Sequence, residues 1–198
     1  MIYGICGLQG SGKDTIADIL ITEHNFKKMS FADPLKDITN IIFGWDRDML
    51  QGLTKESREE REKVDKYWSD KLDNFDKAVT PRKMLQYLGT DLFRDCFQKN
   101  IWILVLEKKL SEYNGNIVIT DCRFPDEIKM IKKLVGEIIN VNRNNPIWFE
   151  DYKNGKVDKV DNVHISELSW IRSDFDHVID NSGSLDELNK IVFNLINL

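Results

Sequence analysis

Gly7–Thr15 reads "GLQGSGKDT", and its interpretation decides the fold. Before it lies "MIYGIC" (1–6), a short apolar run of bulky residues that reads as a buried strand. After it, Ile16, Ile19 and Leu20 recur at helical spacing, which predicts a helix from Lys13 to about Glu23. Strand, glycine turn and helix together make a phosphate-binding loop. Glycines let the backbone curl so that successive N–H groups point inward, and the helix N-terminus adds the positive end of its dipole. A lysine in the position of Lys13 reaches the β and γ phosphates. Gly7 and Gly12 hold the fixed positions of the motif, with Gly10 and Ser11 between them. The loop is expected to bind a nucleoside triphosphate.

Asp14 stands where such loops carry a magnesium-binding hydroxyl. A carboxylate beside a triphosphate repels it unless a metal or a donor intervenes. Either Thr15 or water serves the metal while Asp14 faces the reacting centre, or Asp14 is itself a ligand, directly or through water. The residues alone leave both arrangements open.

The 198 residues suffice for one domain with a sizeable core, alone or with a small insertion. A hydrophobic fraction of 41%, a charged fraction of 31% and a net charge of -5 describe a soluble globular chain and argue against a nucleic-acid polymer as partner. Cys6, Cys96 and Cys122 form no close pair and no metal spacing, so neither a disulfide framework nor a zinc site is expected. No stretch approaches the ~18 apolar residues of a membrane span. A cytoplasmic protein without membrane association is the expectation.

Further elements follow along the chain. "FKKMSF" (26–31) predicts a strand, and "DPLKDITNIIF" (33–43) a helix with Asp33 as cap and Pro34 in its first turn. Residues 46–79 are dense in charges of both signs, which suits an exposed helical insertion or a flap. Helices are predicted from Pro81, over 100–110, over 125–135 and at the C-terminus, and strands at "IVITD", "GEIINVNR" and "DHVIDN". Strand and helix alternate at both ends, favouring a three-layer α/β fold with a parallel sheet. The chain then reads as one domain, with a core of 1–45 and 114–198 and a mostly helical insertion over about 46–113.

Two further constellations carry chemistry. On the Pro81 helix, Met84, Leu85, Leu88 and Leu92 are expected to form an apolar face. Arg82, Gln86, Thr90 and Arg94 recur every four residues along another side, with Gly89 beside them. Two guanidiniums, an amide and a hydroxyl suit a phosphate and a nucleobase or sugar, and a glycine lets a ligand approach the backbone. In "IVITDCRFPDE", Asp121 sits just past a buried strand, where parallel-sheet proteins place ligand-facing residues. Such an acid orients magnesium, often through water. Arg123 can reach a phosphoryl group in flight, with Glu127 in the next helix to fix it. Arg143, just past a later strand, is a candidate lid arginine.

Four patches, "GSGKDT", "FADPLK", "TPRKMLQYLGTDLFRD…IW" and "TDCRFPDE", together resemble the deoxynucleoside monophosphate kinases of bacteriophage type, with a fainter match in "HISE" (164–167) and "DHVIDNSGSLDEL". The resemblance implies a P-loop NTPase fold with a helical monophosphate-binding insertion. It implies that Asp-Thr after the lysine is the family's own form, so that Gly10, Ser11, Gly12, Lys13, Asp14 and Thr15 serve ATP and magnesium. Arg82, Lys83, Gln86, Gly89, Thr90, Arg94 and Trp102 then serve the monophosphate, joined by Asp33 and Lys36. Catalysis falls to Lys13, Asp14, Arg82, Asp121, Arg123 and Glu127, with Thr15, Asp121 and Asp14 toward the metal. Cys122 departs from the family pattern, which has a small aliphatic residue there. The implied reaction moves the γ-phosphoryl group of ATP to a deoxynucleoside monophosphate. Rival readings are a dephospho-coenzyme A or phosphomevalonate kinase on the same scaffold, or an NTPase module without an acceptor. The host cytoplasm is the implied location for a phage-encoded chain, and a homodimer is left open.

Overall fold

The computed structural model describes residues 1–198 except 73, 74, 76, 77, 162 and 198. Part of the expected flap at 46–79 therefore lies outside the described residues. The strands are β1 (Ile2–Cys6), β2 (Phe26–Met29), β3 (Asn116–Ile119), β4 (Glu137–Asn142) and β5 (His177–Asp180). The helices are α1 (Lys13–His24), α2 (Asp33–Phe43), α3 (Arg47–Gln51), α4 (Lys55–Glu60), α5 (Lys66–Lys71), α6 (Pro81–Gln86), α7 (Ile101–Ser111), α8 (Pro125–Lys133), α9 (Trp148–Lys153), α10 (Ile165–Leu168) and α11 (Leu185–Ile196). A π-helix, Tyr87–Phe97, continues α6. These elements fall into two units, one of Met1–Phe31 with Leu106–Leu198 and one of Ala32–Val105.

In the first unit the strands form one parallel sheet in the order β2-β3-β1-β4-β5. One face buries Tyr3, Ile5, Val118, Ile139 and Val141 against Ile16, Ile19 and Leu20 of α1 and Leu188, Val192 and Leu195 of α11. The other face meets α8: a Cβ added at Gly4 would lie 2.7 Å from Ile131 and 2.9 Å from Ile138. Covered on both faces, the strands read as continuous apolar runs, which is why "IVI" and "EIINVN" were visible without alternation. This is the expected three-layer α/β fold. The chain leaves β1 towards one edge and later returns to its other side, so β1 lies between β3 and β4. Loops at the carboxyl ends of such central strands are where open α/β sheets bind ligands.

The second unit is helical around Trp45, Leu50, Val79, Met84 and Leu88. Phe43 stacks on Trp45 at 4.5 Å, and the Trp45 indole N–H donates to Asp65 at 2.7 Å. Thr80 caps α6 by accepting from the Lys83 N–H, and Pro81 opens the helix as expected. The cap of α2 is Ala32, not Asp33, whose carboxylate is turned to Arg47. The helix from Pro81 is not α-helical throughout. From Tyr87 its turns widen, and at its end the Gln98 N–H donates to the Phe93 carbonyl five residues back at 2.8 Å. A wider turn advances each residue by a smaller angle. Leu92 consequently leaves the apolar face expected for it and is 41% exposed, while Met84 and Leu88 stay buried. Among the described residues no helix is long and apolar enough to cross a membrane.

Candidate active site

The phosphate-type loop occupies the turn between β1 and α1. A Cβ at Gly7 would lie 2.5 Å from Ser11 Oγ and 2.7 Å from the Val141 carbonyl, so the chain passes too closely for a side chain. Gly12 has φ 99°, and an added Cβ would lie 2.1 Å from Asn181 Nδ2. That amide, just past β5, donates to the Ser11 carbonyl at 2.9 Å and braces the loop. Ser11 is buried, and among the described residues its Oγ finds no hydrogen-bond partner. Lys13 folds over the loop, with Nζ donating to the Gly7 and Leu8 carbonyls at 2.8 Å each. Burial, and then the Arg123 guanidinium, hold the Lys13 ammonium below the ordinary lysine range, with Glu167, Asp14 and Cys6 pulling the other way. Thr15 is exposed in the first turn of α1.

Asp14 has a cationic partner that its sequence neighbours do not reveal. Lys28 Nζ of β2 lies 2.6 Å from Asp14 Oδ1, compensating the carboxylate at the mouth of the loop. Asp121 follows β3. Gly4 pairs with Ile119 at the end of β3, so β1 and β3 run parallel and deliver their loops at the same end of the sheet. Ser30 Oγ donates to Asp121 Oδ2 at 2.6 Å, and the Phe31 N–H donates to Oδ1 at 3.1 Å. Thr15, Asp14 and Asp121 offer only hard oxygen donors, the chemistry that suits magnesium bound in part through water.

The two residues after Asp121 differ in kind. Cys122 is buried against Gly4 and its thiol points at the Ile119 carbonyl, 3.7 Å away. Burial pushes that thiol well above its usual range, so it behaves as a small apolar side chain. Arg123 is exposed. Its repulsion of the Lys13 ammonium places the two cations within electrostatic reach. Glu127 fixes the backbone here, with Oε2 accepting the N–H groups of Arg123 at 2.8 Å and Phe124 at 3.1 Å. The guanidinium itself is held by Glu167 at 2.6 Å. Glu127 is buried, so Glu127→Ala should destabilise the fold by about 1–3 kcal/mol for the unpaired donors it leaves. Urea unfolding measures this, and Glu127→Gln, which keeps an acceptor oxygen, should cost less.

The helical unit carries the other expected residues. Arg82, Gln86 and Thr90 are exposed and Arg94 is half-buried. The Arg82 N–H donates to the Arg61 carbonyl at 3.0 Å, and Lys83 Nζ donates to the Ala78 carbonyl at 3.1 Å. Gly89 is buried against Leu35, where a Cβ would come within 2.7 Å of a methyl group. Trp102 is 6% exposed, with its indole N–H donating to the Gly89 carbonyl at 2.9 Å and its ring against Phe93. It packs inside the unit and braces the backbone at Gly89. Asp33 and Lys36 belong to a network with Arg47 and Gln51, in which Asp33 Oδ1 accepts from Arg47 at 2.9 Å and Gln51 Oε1 accepts from Lys36 at 2.9 Å. Burial alone would lower the Arg47 pKa, but hydrogen bonds to Asp37 and Asp33 outweigh it and raise the pKa. Arg143 is exposed just past β4.

The missed residues, Lys28, Ser30 and Asn181 around the loop and Arg47, Gln51 and Arg61 in the helical unit, act across elements, whereas Glu167 had entered only through the fainter match at "HISE". The order of the strands was the signal that would have found Ser30, because β2 lies beside β3 and its end must face Asp121.

The chain is similar in sequence to known proteins over most of its length. Over 155 residues, the chain is 34% identical to a protein of Acanthamoeba polyphaga mimivirus described as a candidate deoxynucleotide monophosphate kinase, covering 72% of this chain and 74% of that one. It is 27% identical to the deoxynucleoside-5'-monophosphate kinase of Escherichia phage T5, covering 67% and 72% of the two chains. The deoxynucleotide monophosphate kinase of Enterobacteria phage T4 is 24% identical and is matched over 97% of both chains. The family model for deoxynucleotide monophosphate kinase matches residues 46–192, and the chain belongs to that family.

Proposed function

We propose that the protein transfers the γ-phosphoryl group of ATP to a deoxynucleoside monophosphate, giving ADP and a deoxynucleoside diphosphate. Family membership supports the reaction class, and the observation that carries the mechanism is the glycine loop between β1 and α1 with Lys13 folded over it and Asp121, held by Ser30, at the neighbouring strand end. An oxygen of the acceptor phosphate attacks the γ phosphorus in line. The bond from that phosphorus to the β–γ bridging oxygen breaks, and ADP departs with the electron pair. No covalent enzyme intermediate is required.

Loop amides from Gly10 to Thr15 and the Lys13 ammonium hold the donor phosphates. Arg123 meets the negative charge that spreads over the equatorial oxygens in the transition state. Arg82 and Arg94, with Lys83, Gln86, Thr90, Asp33 and Lys36, serve the acceptor. Trp102 supports that surface from within, since its indole holds the Gly89 carbonyl. Magnesium would be held by Thr15 and, directly or through water, by Asp14 and Asp121, and there it would neutralise phosphate charge. Ser30 and the Phe31 N–H keep Asp121 oriented for this. Lys28 offsets the charge of Asp14 until nucleotide arrives.

An ADP-release assay with ATP and a panel of monophosphates tests the reading. ADP should form rapidly only when a deoxynucleoside monophosphate is present. Stimulation by dephospho-coenzyme A or phosphomevalonate instead, or ADP release that no acceptor changes, would refute it.

A further inference from the structure

The segment "HISE" (His164–Glu167) has no role in the mechanism so far, yet it lies against the mechanism's most exposed cation. Arg123 Nη1 donates to Glu167 Oε1 at 2.6 Å and to Ser166 Oγ at 3.3 Å. Ser166 Oγ lies 2.9 Å from His164 Nδ1, and the same ring nitrogen accepts the Ser166 backbone N–H at 3.2 Å, capping α10. Two side chains of one short turn thus bracket one nitrogen of one guanidinium, and His164 in turn holds Ser166. The turn is anchored from beneath, because Leu168, Trp170 and Ile171 are all buried and Trp170 packs on buried Phe149.

The bracket is also close to the donor loop. Glu167 and Arg123 act on the Lys13 ammonium with opposite signs, so all three charges share one neighbourhood. Among the described residues, Nη1 is the atom of Arg123 that is engaged. Among the described residues, Nε and Nη2 make no hydrogen bond and remain available to phosphoryl oxygens.

We propose that Glu167, supported by Ser166 and His164, is a positioning residue that holds the Arg123 guanidinium by one nitrogen and directs its remaining donors at the transferred phosphoryl group. The proposal rests on the reading that Arg123 serves that group. Glu127 has a different task, since its Oε2 accepts the backbone N–H groups of Arg123 and Phe124. With its side chain 47% exposed, Arg123 would otherwise sample many rotamers, and arginine has among the largest side-chain entropies to lose. Glu167 removes much of that loss before substrate arrives. Its negative charge works against phosphate, so its benefit should appear in turnover and not in ATP affinity.

The test compares Glu167→Gln, Arg123→Ala and the double variant for kcat, the KM for each substrate and the ATP Kd, with thermal unfolding as a check on folding. Glu167→Gln keeps the shape but weakens the grip, and should lower kcat by about tenfold while the ATP Kd stays level or tightens. In the Arg123→Ala background the same change should have almost no effect, because nothing remains to be positioned. Ser166→Ala, which removes only the weaker contact, should lower kcat by about threefold and provides a second variant if Glu167→Gln folds poorly. A strongly impaired Arg123→Ala enzyme combined with unchanged or faster turnover in Glu167→Gln would overturn the proposal, as would independent, multiplying losses in the double variant. Near-normal turnover in Arg123→Ala would instead overturn the underlying assignment of Arg123.

Discussion

Arg123→Ala should lower kcat by about 10³-fold or more while changing the ATP Kd only a few-fold. The expectation comes from where the positive charges stand. In the proposed mechanism Lys13 and the loop amides surround the donor in its ground state, so they should carry most of the binding. Arg123 comes from the neighbouring strand end and is exposed, with donors still unused. A cation of this kind gains most when charge spreads onto the equatorial oxygens during transfer, and interactions gained only there raise kcat rather than affinity. The backbone at Arg123 is secured by Glu127 independently of the guanidinium, so the variant should fold normally. Stopped-flow turnover and calorimetric ATP binding measure the two quantities separately. Equal losses in kcat and in ATP affinity would show that Arg123 is an ordinary donor-site contact.

Lys13→Ala should damage both steps, reducing kcat/KM for ATP by about 10²–10³-fold. Without nucleotide the Lys13 ammonium rests on the Gly7 and Leu8 carbonyls, and triphosphate should draw it away. Its pKa offers an independent readout. Burial and Arg123 lower that pKa in the free protein, which favours the neutral amine. A bound triphosphate favours the ammonium and raises the pKa again. Between the two values, ATP binding must therefore take up a proton. Calorimetry in the alkaline range, in buffers of different ionisation enthalpy, should detect that uptake in the wild type and lose it in Lys13→Ala. Unaltered proton uptake in the variant would assign the effect to another group.

Much of this was legible because the informative signals are local. "MIYGIC" followed by "GLQGSGKDT" defines a strand, a loop and a helix from adjacent residues, and Asp121 is marked by the apolar strand before it. Elements of the sheet and its flanking helices are likewise set by runs and periodicities of a few residues. The illegible part depends on pairing at a distance. Lys28 meets Asp14 only because β2 runs parallel beside β3, and Asn181 reaches Ser11 only because β5 ends near the loop. Glu167 reaches Arg123 across 44 positions of chain. The π-helix was hidden for a different reason. Its residues carry an ordinary helical pattern, and the partners it meets at Gly89, which are Leu35 and Trp102, lie beyond any short window.

The central claim is direct phosphoryl transfer between two nucleotides, and following the label from γ-³²P-ATP in the presence of a deoxynucleoside monophosphate tests it most directly. The label should appear in the deoxynucleoside diphosphate in step with ADP formation, with almost none released as inorganic phosphate. Label found chiefly as inorganic phosphate, at a rate that the monophosphate does not alter, would contradict the account.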